Sequence, residues 1–127
     1  GSQKDGLLKY KKGKPVAVFD LQKRDYISIS EFSAKCDEYL GALPEKWQPW
    51  KSVNFSKNKE ELLKAYFAAI KGMDTVGAQL AKVCHNRSAQ IGKQLVNSGV
   101  ANSDEDVNTV LLTGFYHAYG PINNYLQ

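Results

Sequence analysis

Residues 74–99 read DTVGAQLAKVCHNRSAQIGKQLVNSG, and this stretch decides the fold. Its apolar side chains recur every three or four residues, which is the spacing of one side of an α-helix. Asp74 stands before the series and Gly99 follows it, as residues at helix ends commonly do. We therefore predict one long helix whose apolar side packs into the core. The residues on that side are Val76, Leu80, Val83, Cys84, Arg87, Ile91 and Leu95.

Three further segments show helical spacing. Each begins at a serine and ends at a glycine: Ser30 to Gly41, Ser56 to Gly72, and Ser103 to Gly120. A serine hydroxyl satisfies a free N–H at a helix start, and glycine tolerates the backbone that ends a helix. Pro44 and Pro49 exclude a long helix between the first two segments. The expected buried positions are Ile29, Phe32, Cys36, Tyr39 and Leu40, then Leu62, Leu63, Tyr66, Phe67 and Ile70, then Val107, Val110, Leu111 and Phe115.

The first third of the chain has β character. Two short apolar runs, Leu7–Tyr10 and Val16–Phe19, flank a turn-forming segment around Gly13, which favours a hairpin. Residues 26–29 form either a third strand or an extended lead-in. We predict a mainly α fold, a small bundle of about four helices with a short N-terminal β-hairpin or extended arm. Residues 1–127 form a single domain, with a basic arm at 1–29 and a helical body at 30–127.

Size and composition exclude several classes of protein. The chain has 127 residues, 43% hydrophobic and 24% charged, which suffices for a packed core and argues against disorder. No apolar run approaches the roughly 20 residues of a membrane-spanning helix. Cys36 and Cys84 lack the spacing of a disulfide framework or redox pair. We therefore expect an intracellular protein, in the cytoplasm or within a virion if it is viral, with no membrane partner.

Catalytic and metal-binding patterns are weak. Cys84 and His85 are adjacent, so on a helix their side chains point about 100° apart and cannot readily coordinate the same metal ion. Cys36 and His117 stand alone elsewhere. The acidic clusters fall mostly in first helical turns, where carboxylates offset the helix dipole. The sequence contains no phosphate-binding glycine loop or hydrolase motif. We expect no enzyme activity, no catalytic residue, no metal and no cofactor.

The basic residues suggest an anionic partner. Residues 1–24 carry seven Lys or Arg against two Asp, a net charge of +5, within a chain of net charge +4. The long helix adds a basic and amide-rich side without acidic residues, the residue types that contact phosphates and base edges. Arg87 falls among apolar residues, where it meets a phosphate, pairs with an internal acid, or lays its stem along the core with its guanidinium in water. The expected nucleic-acid contacts are Lys9, Lys11, Lys12, Lys14, Arg24, Lys82, Asn86, Arg87 and Lys93.

The aromatic residues suggest a different function. Trp47 and Trp50 lie in the proline-rich connector, and Tyr116, Tyr119 and Tyr125 cluster near the end of the sequence without basic neighbours. Exposed aromatics without charge typically mark a protein interface, although they also fill cores. We expect a non-enzymatic structural or assembly protein associated with RNA or DNA, of the coat, nucleoprotein or chromosome-associated type. In that protein the hairpin and the aromatic C-terminal region would join subunits. The alternative is an adaptor or inhibitor that binds another protein through these aromatics.

Overall fold

The computed structural model describes residues 6–127, so the first five residues of the predicted arm lie outside it. The described chain is mainly helical, with a small antiparallel sheet near its start, as predicted. It divides into two compact units, one ending at Gly41 and one comprising Ala42–Gln127. From the sequence we predicted a single domain in which the basic arm ends at residue 29 and the helical body begins at residue 30.

The first unit is built on a three-stranded sheet. Strands β1 (Leu8–Lys11), β2 (Lys14–Asp20) and β3 (Asp25–Ser28) pair antiparallel in chain order. Lys12 and Gly13 both have positive φ, 50° and 74°, which is the backbone of a tight type I′ hairpin turn. The predicted hairpin is therefore confirmed, and residues 25–28 add a third strand.

A short helical segment completes this unit. A 3₁₀ turn at Ile29–Glu31 leads into α1 (Ser33–Leu40), and Gly41 ends α1 with φ of 84°. No residue of α1 is buried, so the prediction that Cys36, Tyr39 and Leu40 fill a core is wrong. Helical spacing identifies a shared side, but burial requires a neighbouring element to cover that side.

The second unit contains four helices. They are α2 (Trp50–Asn54), α3 (Lys59–Lys71), α4 (Val76–Asn97) and α5 (Asp104–Thr109). A π-helical turn at Val110–Gly114 continues α5, and an irregular segment packs back onto the helices. The short helix α2 was not predicted: it begins directly after Pro49 and has only five residues, too few for a helical spacing to be recognised. Thr75 caps α4 by accepting from the Ala78 N–H at 3.3 Å, and Ser103 caps α5 as predicted.

The core of this unit is small and aromatic. Val53, Leu63, Phe67 and Ala118 are buried together, and Tyr66, Tyr119, Tyr125 and Leu126 pack against them. The prediction for α3 is confirmed at Leu63, Phe67 and Ile70. In the last segment Val107 is buried, but Val110 and Phe115 are exposed, contrary to prediction. The change to π geometry after Thr109 shifts the helical phase, so the spacing counted from α5 no longer points inward.

Candidate functional site

The predicted basic contacts of the first unit lie on the sheet formed by β1, β2 and β3 and on its turns. We call this sheet with its turns the β-ribbon. Lys9, Lys11, Lys12, Lys14 and Arg24 are all exposed there. Lys11 and Lys14 pair directly across the hairpin, a like-charge arrangement that slightly destabilises a sheet. The Lys9 ammonium lies 5.2 Å from the centroid of the Tyr26 ring, within cation–π range. The hairpin tip therefore presents concentrated positive charge.

The four nucleic-acid contacts predicted on α4 differ in whether their side chains are free to bind a partner. Lys82 Nζ donates to the Met73 carbonyl at 2.8 Å, and Lys93 forms an ion pair with Asp104 of α5. Asn86 is exposed, and so is Arg87, whose guanidinium lies 3.5 Å from the Gln90 side-chain oxygen. Lys82, Arg87 and Lys93 thus have intramolecular partners. Arg87 is not buried, contrary to what its position among apolar residues suggested.

The structure reverses the predicted orientation of α4. Ala78, His85 and Gly92 are its buried residues, whereas Cys84 is exposed. Small residues on this side let neighbouring chain approach closely, since a β-carbon on Gly92 would lie 2.8 Å from Ile122 Cγ1. The larger aliphatic side chains lie nearly opposite and face outward. Periodicity therefore located two sides of the helix correctly but assigned burial to the wrong one.

We call the outward aliphatic side chains of α4 the exposed row. Leu80 is 51% exposed, and Val83 and Ile91 are each 57% exposed, values far from those of core residues. Arg87 lies between Val83 and Ile91 along the helix. Apolar side chains exposed along one side of a helix are a feature of interaction sites. The row consists of Val76, Leu80, Val83, Ile91 and Leu95.

The five predicted interface aromatics separate into two groups. Trp47, Trp50 and Tyr116 are exposed, with Tyr116 at 80% and φ of 55°. Tyr119 and Tyr125 instead pack on the aromatic core. The Tyr125 ring stacks on Phe67 with centroids 4.9 Å apart, and its hydroxyl donates to Glu60 at 2.8 Å. The structure therefore does not bring the five residues to one surface.

A cavity of about 520 Å³ opens beside this core. His85 lines it at 7% exposure, with its ring centroid 4.9 Å from that of Phe67. Burial lowers the His85 pKa, and a hydrogen bond with the Asn123 side chain partly opposes this shift. Burial also raises the pKa of Tyr66 and, with contributions from Tyr66 and Cys84, that of Tyr119. The cavity wall thus carries a neutral imidazole and neutral phenols at physiological pH.

Sequence reasoning did not find His85 as a cavity residue. The sequence does contain a signal for this side of α4, because mostly small residues recur there at helical spacing and so allow close packing. These residues are Ala78, Ala81, His85, Ser88 and Gly92. Among residues 6–127, no three His, Cys, Asp or Glu side chains converge as a metal site would require. Within the same residues, no helix is long and apolar enough to cross a membrane.

No family model matches this sequence, and no curated protein or solved structure is significantly similar to it.

Proposed function

We propose that this chain is a non-enzymatic protein-association domain whose main contact surface is the exposed row of α4. The single observation that carries the proposal is the exposure of five aliphatic side chains on one side of one helix. Burying such side chains against a partner removes apolar surface from water, which is the main driving force of association. The predicted aromatic surface is separate from this row, because Trp50 and Tyr116 line the cavity on the buried side of α4.

The partner we favour is a second copy of the chain. Dimers with two-fold symmetry use the same patch on both copies, so the patch must be self-complementary. The row has two aliphatic residues near each end. If the α4 helices of two copies packed antiparallel, Val76 of one copy would face Leu95 of the other, and Leu80 would face Ile91. The row spans about 28 Å along the helix axis. Arg87 would lay its apolar stem along the contact and hold its guanidinium at the solvated rim.

Sedimentation equilibrium over a range of protein concentrations tests this proposal. We expect the mass to rise from 14.1 kDa toward twice that value. Val83→Lys adds a second positive charge beside Arg87 in the row and should keep the protein monomeric. Val100→Lys is the matched control, because Val100 is 74% exposed but lies outside the row. A wild-type protein that stays monomeric, or equal effects of both variants, would contradict the proposal.

Cross-linking tests the antiparallel arrangement. Cys84 is exposed next to Val83, close to the midpoint of the row. In a Cys36→Ser background, a short bis-maleimide should join two copies through Cys84, and Val83→Lys should abolish the product. Cysteines placed at position 76, near one end of the row, distinguish the two arrangements. A parallel pair would cross-link at both positions, whereas an antiparallel pair would cross-link through Cys84 only.

We further propose that helices α3 and α4, with α5 and the segment after it, form a small helical bundle in solution. The core cluster supports this arrangement, because its members come from α2, α3 and the segment after the π turn. The His85 ring of α4 lies 4.9 Å from the Phe67 ring of this cluster. Native-state hydrogen exchange should then protect the central amides of α3 and α4 equally, at the global free energy of unfolding. Exchange of α4 at a much lower free energy than α3 would contradict a single cooperative bundle.

A nucleic-acid-associated role, of the coat, nucleoprotein or chromosome-associated type, is the second candidate. The exposed cations of the β-ribbon favour it, whereas the internal partners of Lys82 and Lys93 weaken the contribution of α4. Fluorescence anisotropy with labelled single-stranded RNA and duplex DNA tests it across salt concentrations. Binding through phosphates should weaken linearly on a log–log salt plot.

Matched lysine variants make this test specific. Replacing Lys11, Lys12 and Lys14 by Ala removes the hairpin-tip charge and should reduce the salt slope by about 3. Replacing the exposed Lys46, Lys51 and Lys57 by Ala changes the net charge equally in the second unit. Binding that is insensitive to salt, or equally weakened by both triple variants, would remove the proposed contact.

A further inference from the structure

The cavity beside the aromatic core has the size and lining of a small-molecule site. Its volume of about 520 Å³ falls within the range of roughly 300–1,000 Å³ that ligand pockets occupy. Its walls come from α2, α3, α4, the π turn and the segment after that turn, all in the second unit. None of the described residues that line it is Asp, Glu, Lys or Arg. A charged ligand would therefore lose its hydration without gaining a counter-ion there.

Aromatic rings give the cavity its shape. The Trp50 ring meets Tyr66 edge-on at 5.1 Å and Tyr119 at 5.9 Å, while Phe67 meets Tyr119 edge-on at 5.0 Å. Edge-to-face and offset contacts are the favoured geometries between aromatic rings. A flat apolar body inserted among these side chains can continue the same pattern of contacts.

One polar atom in this wall lacks a partner. Nδ1 of His85 is buried and has no hydrogen-bond partner among the described residues. In a neutral imidazole with its proton on Nε2, Nδ1 presents a lone pair that accepts a hydrogen bond. Leaving such an acceptor buried and unsatisfied costs free energy that a bound donor recovers.

We propose that this cavity binds a small uncharged molecule with a flat apolar body and one hydroxyl or N–H group, which donates a hydrogen bond to His85 Nδ1. The apolar body lies among Trp50, Tyr66 and Tyr119. The neutral Tyr66 and Tyr119 hydroxyls, whose pKa values are raised by burial, accept or donate further bonds. This site lies on the buried side of α4 and is independent of the exposed row.

Titration with 2-naphthol and 2-methoxynaphthalene tests the site, because the two probes share a body and differ in the donor. Isothermal titration calorimetry should show about tenfold tighter binding of 2-naphthol, the value of roughly one hydrogen bond. Side-chain ¹⁵N spectra should show a shift of the His85 Nδ1 resonance with 2-naphthol only. This spectroscopic readout uses the unsubstituted protein and does not depend on a variant folding.

Two variants assign the effect to one atom. His85→Phe removes the acceptor but keeps a ring, so it should bind both probes equally. Ser88→Ala alters another polar group of the wall and should keep the preference for 2-naphthol. Circular dichroism confirms that each variant is folded. Absence of binding, equal affinities in the wild type, or an unchanged Nδ1 resonance would overturn the proposal.

Discussion

The side-chain amide of Asn108 holds the backbone of Ile122 by two hydrogen bonds. Its Nδ2 donates to the Ile122 carbonyl at 2.8 Å, and its Oδ1 accepts from the Ile122 N–H at 3.0 Å. This pair joins α5 to the irregular segment that follows the π turn. The segment carries Tyr119 and Tyr125 to the aromatic core, so the two bonds help to hold both rings in place.

Asn108→Asp should therefore destabilise the second unit. The carboxylate still accepts from the Ile122 N–H, but it cannot donate and instead faces the carbonyl oxygen. We expect the free energy of unfolding to fall by about 2 kcal/mol, because the Ile122 carbonyl loses its donor and faces a negative charge. Urea unfolding followed by tryptophan fluorescence measures it. Asn102→Asp, at an exposed site, should change the stability little, and a similar loss there would exclude the specific explanation.

Gly120→Ala should be destabilising for a related reason. A β-carbon at position 120 would lie 2.3 Å from both Cγ and Oδ1 of Asn108. Because two hydrogen bonds fix that amide, it cannot move away without breaking them, and we expect a loss of about 2–3 kcal/mol. Gly114→Ala is the control, since nothing lies within 4 Å of its added carbon. The control should be neutral or slightly stabilising in thermal unfolding.

The buried His85 should make stability depend on pH. Its pKa is lowered in the folded protein from 6.5, so the unfolded state binds more protons below about pH 6.5. Stability should fall as the pH drops from 6.5 toward the folded pKa and stay level above 6.5. The slope is at most about 1.4 kcal/mol per pH unit. Urea unfolding between pH 5 and 8 should show this slope in the wild type.

Substituting each histidine separates the source of this effect. His85→Phe should flatten the dependence between pH 5 and 6.5, because the titrating ring is gone. His117→Gln, at the exposed histidine, should preserve it. If the stability of the wild type did not depend on pH below 6.5, the prediction would be wrong. If the dependence survived in His85→Phe, another group would be its source.

Tyr125 contributes more through its ring than through its hydroxyl. Tyr125→Phe removes the hydrogen bond to Glu60 but keeps the stack on Phe67, so a loss of about 1 kcal/mol is expected. Tyr125→Ala also removes the ring and should cost about 3–4 kcal/mol. Chemical denaturation of both variants measures the difference. Equal losses would mean that the hydroxyl bond, and not the stacked ring, anchors the segment.

Local signals in the sequence predicted much of the secondary structure. The Gly13 turn, the Ser103 cap and the glycine after α4 each act within a few residues, and all three occur in the structure. The hairpin and the helical character follow from such signals because turns and caps depend on nearby backbone groups.

The candidate sites depend on contacts between distant segments, which periodicity does not encode. The buried side of α4 is chosen by the close approach of Ile122 to Gly92, a pair 30 positions apart. The same contact explains why Val83 faces outward and His85 faces the cavity. Likewise, Lys93 was predicted as free for a phosphate, but Asp104 neutralises it after the chain reverses.

The division of the chain into two units has a consequence for spectroscopy. Both tryptophans, Trp47 and Trp50, belong to Ala42–Gln127, whereas the β-ribbon unit has none. Intrinsic tryptophan emission therefore follows unfolding of the second unit alone, while far-ultraviolet circular dichroism sums over both. Coincident curves from the two probes would indicate that the units unfold together, and separated curves would assign each unit its own midpoint.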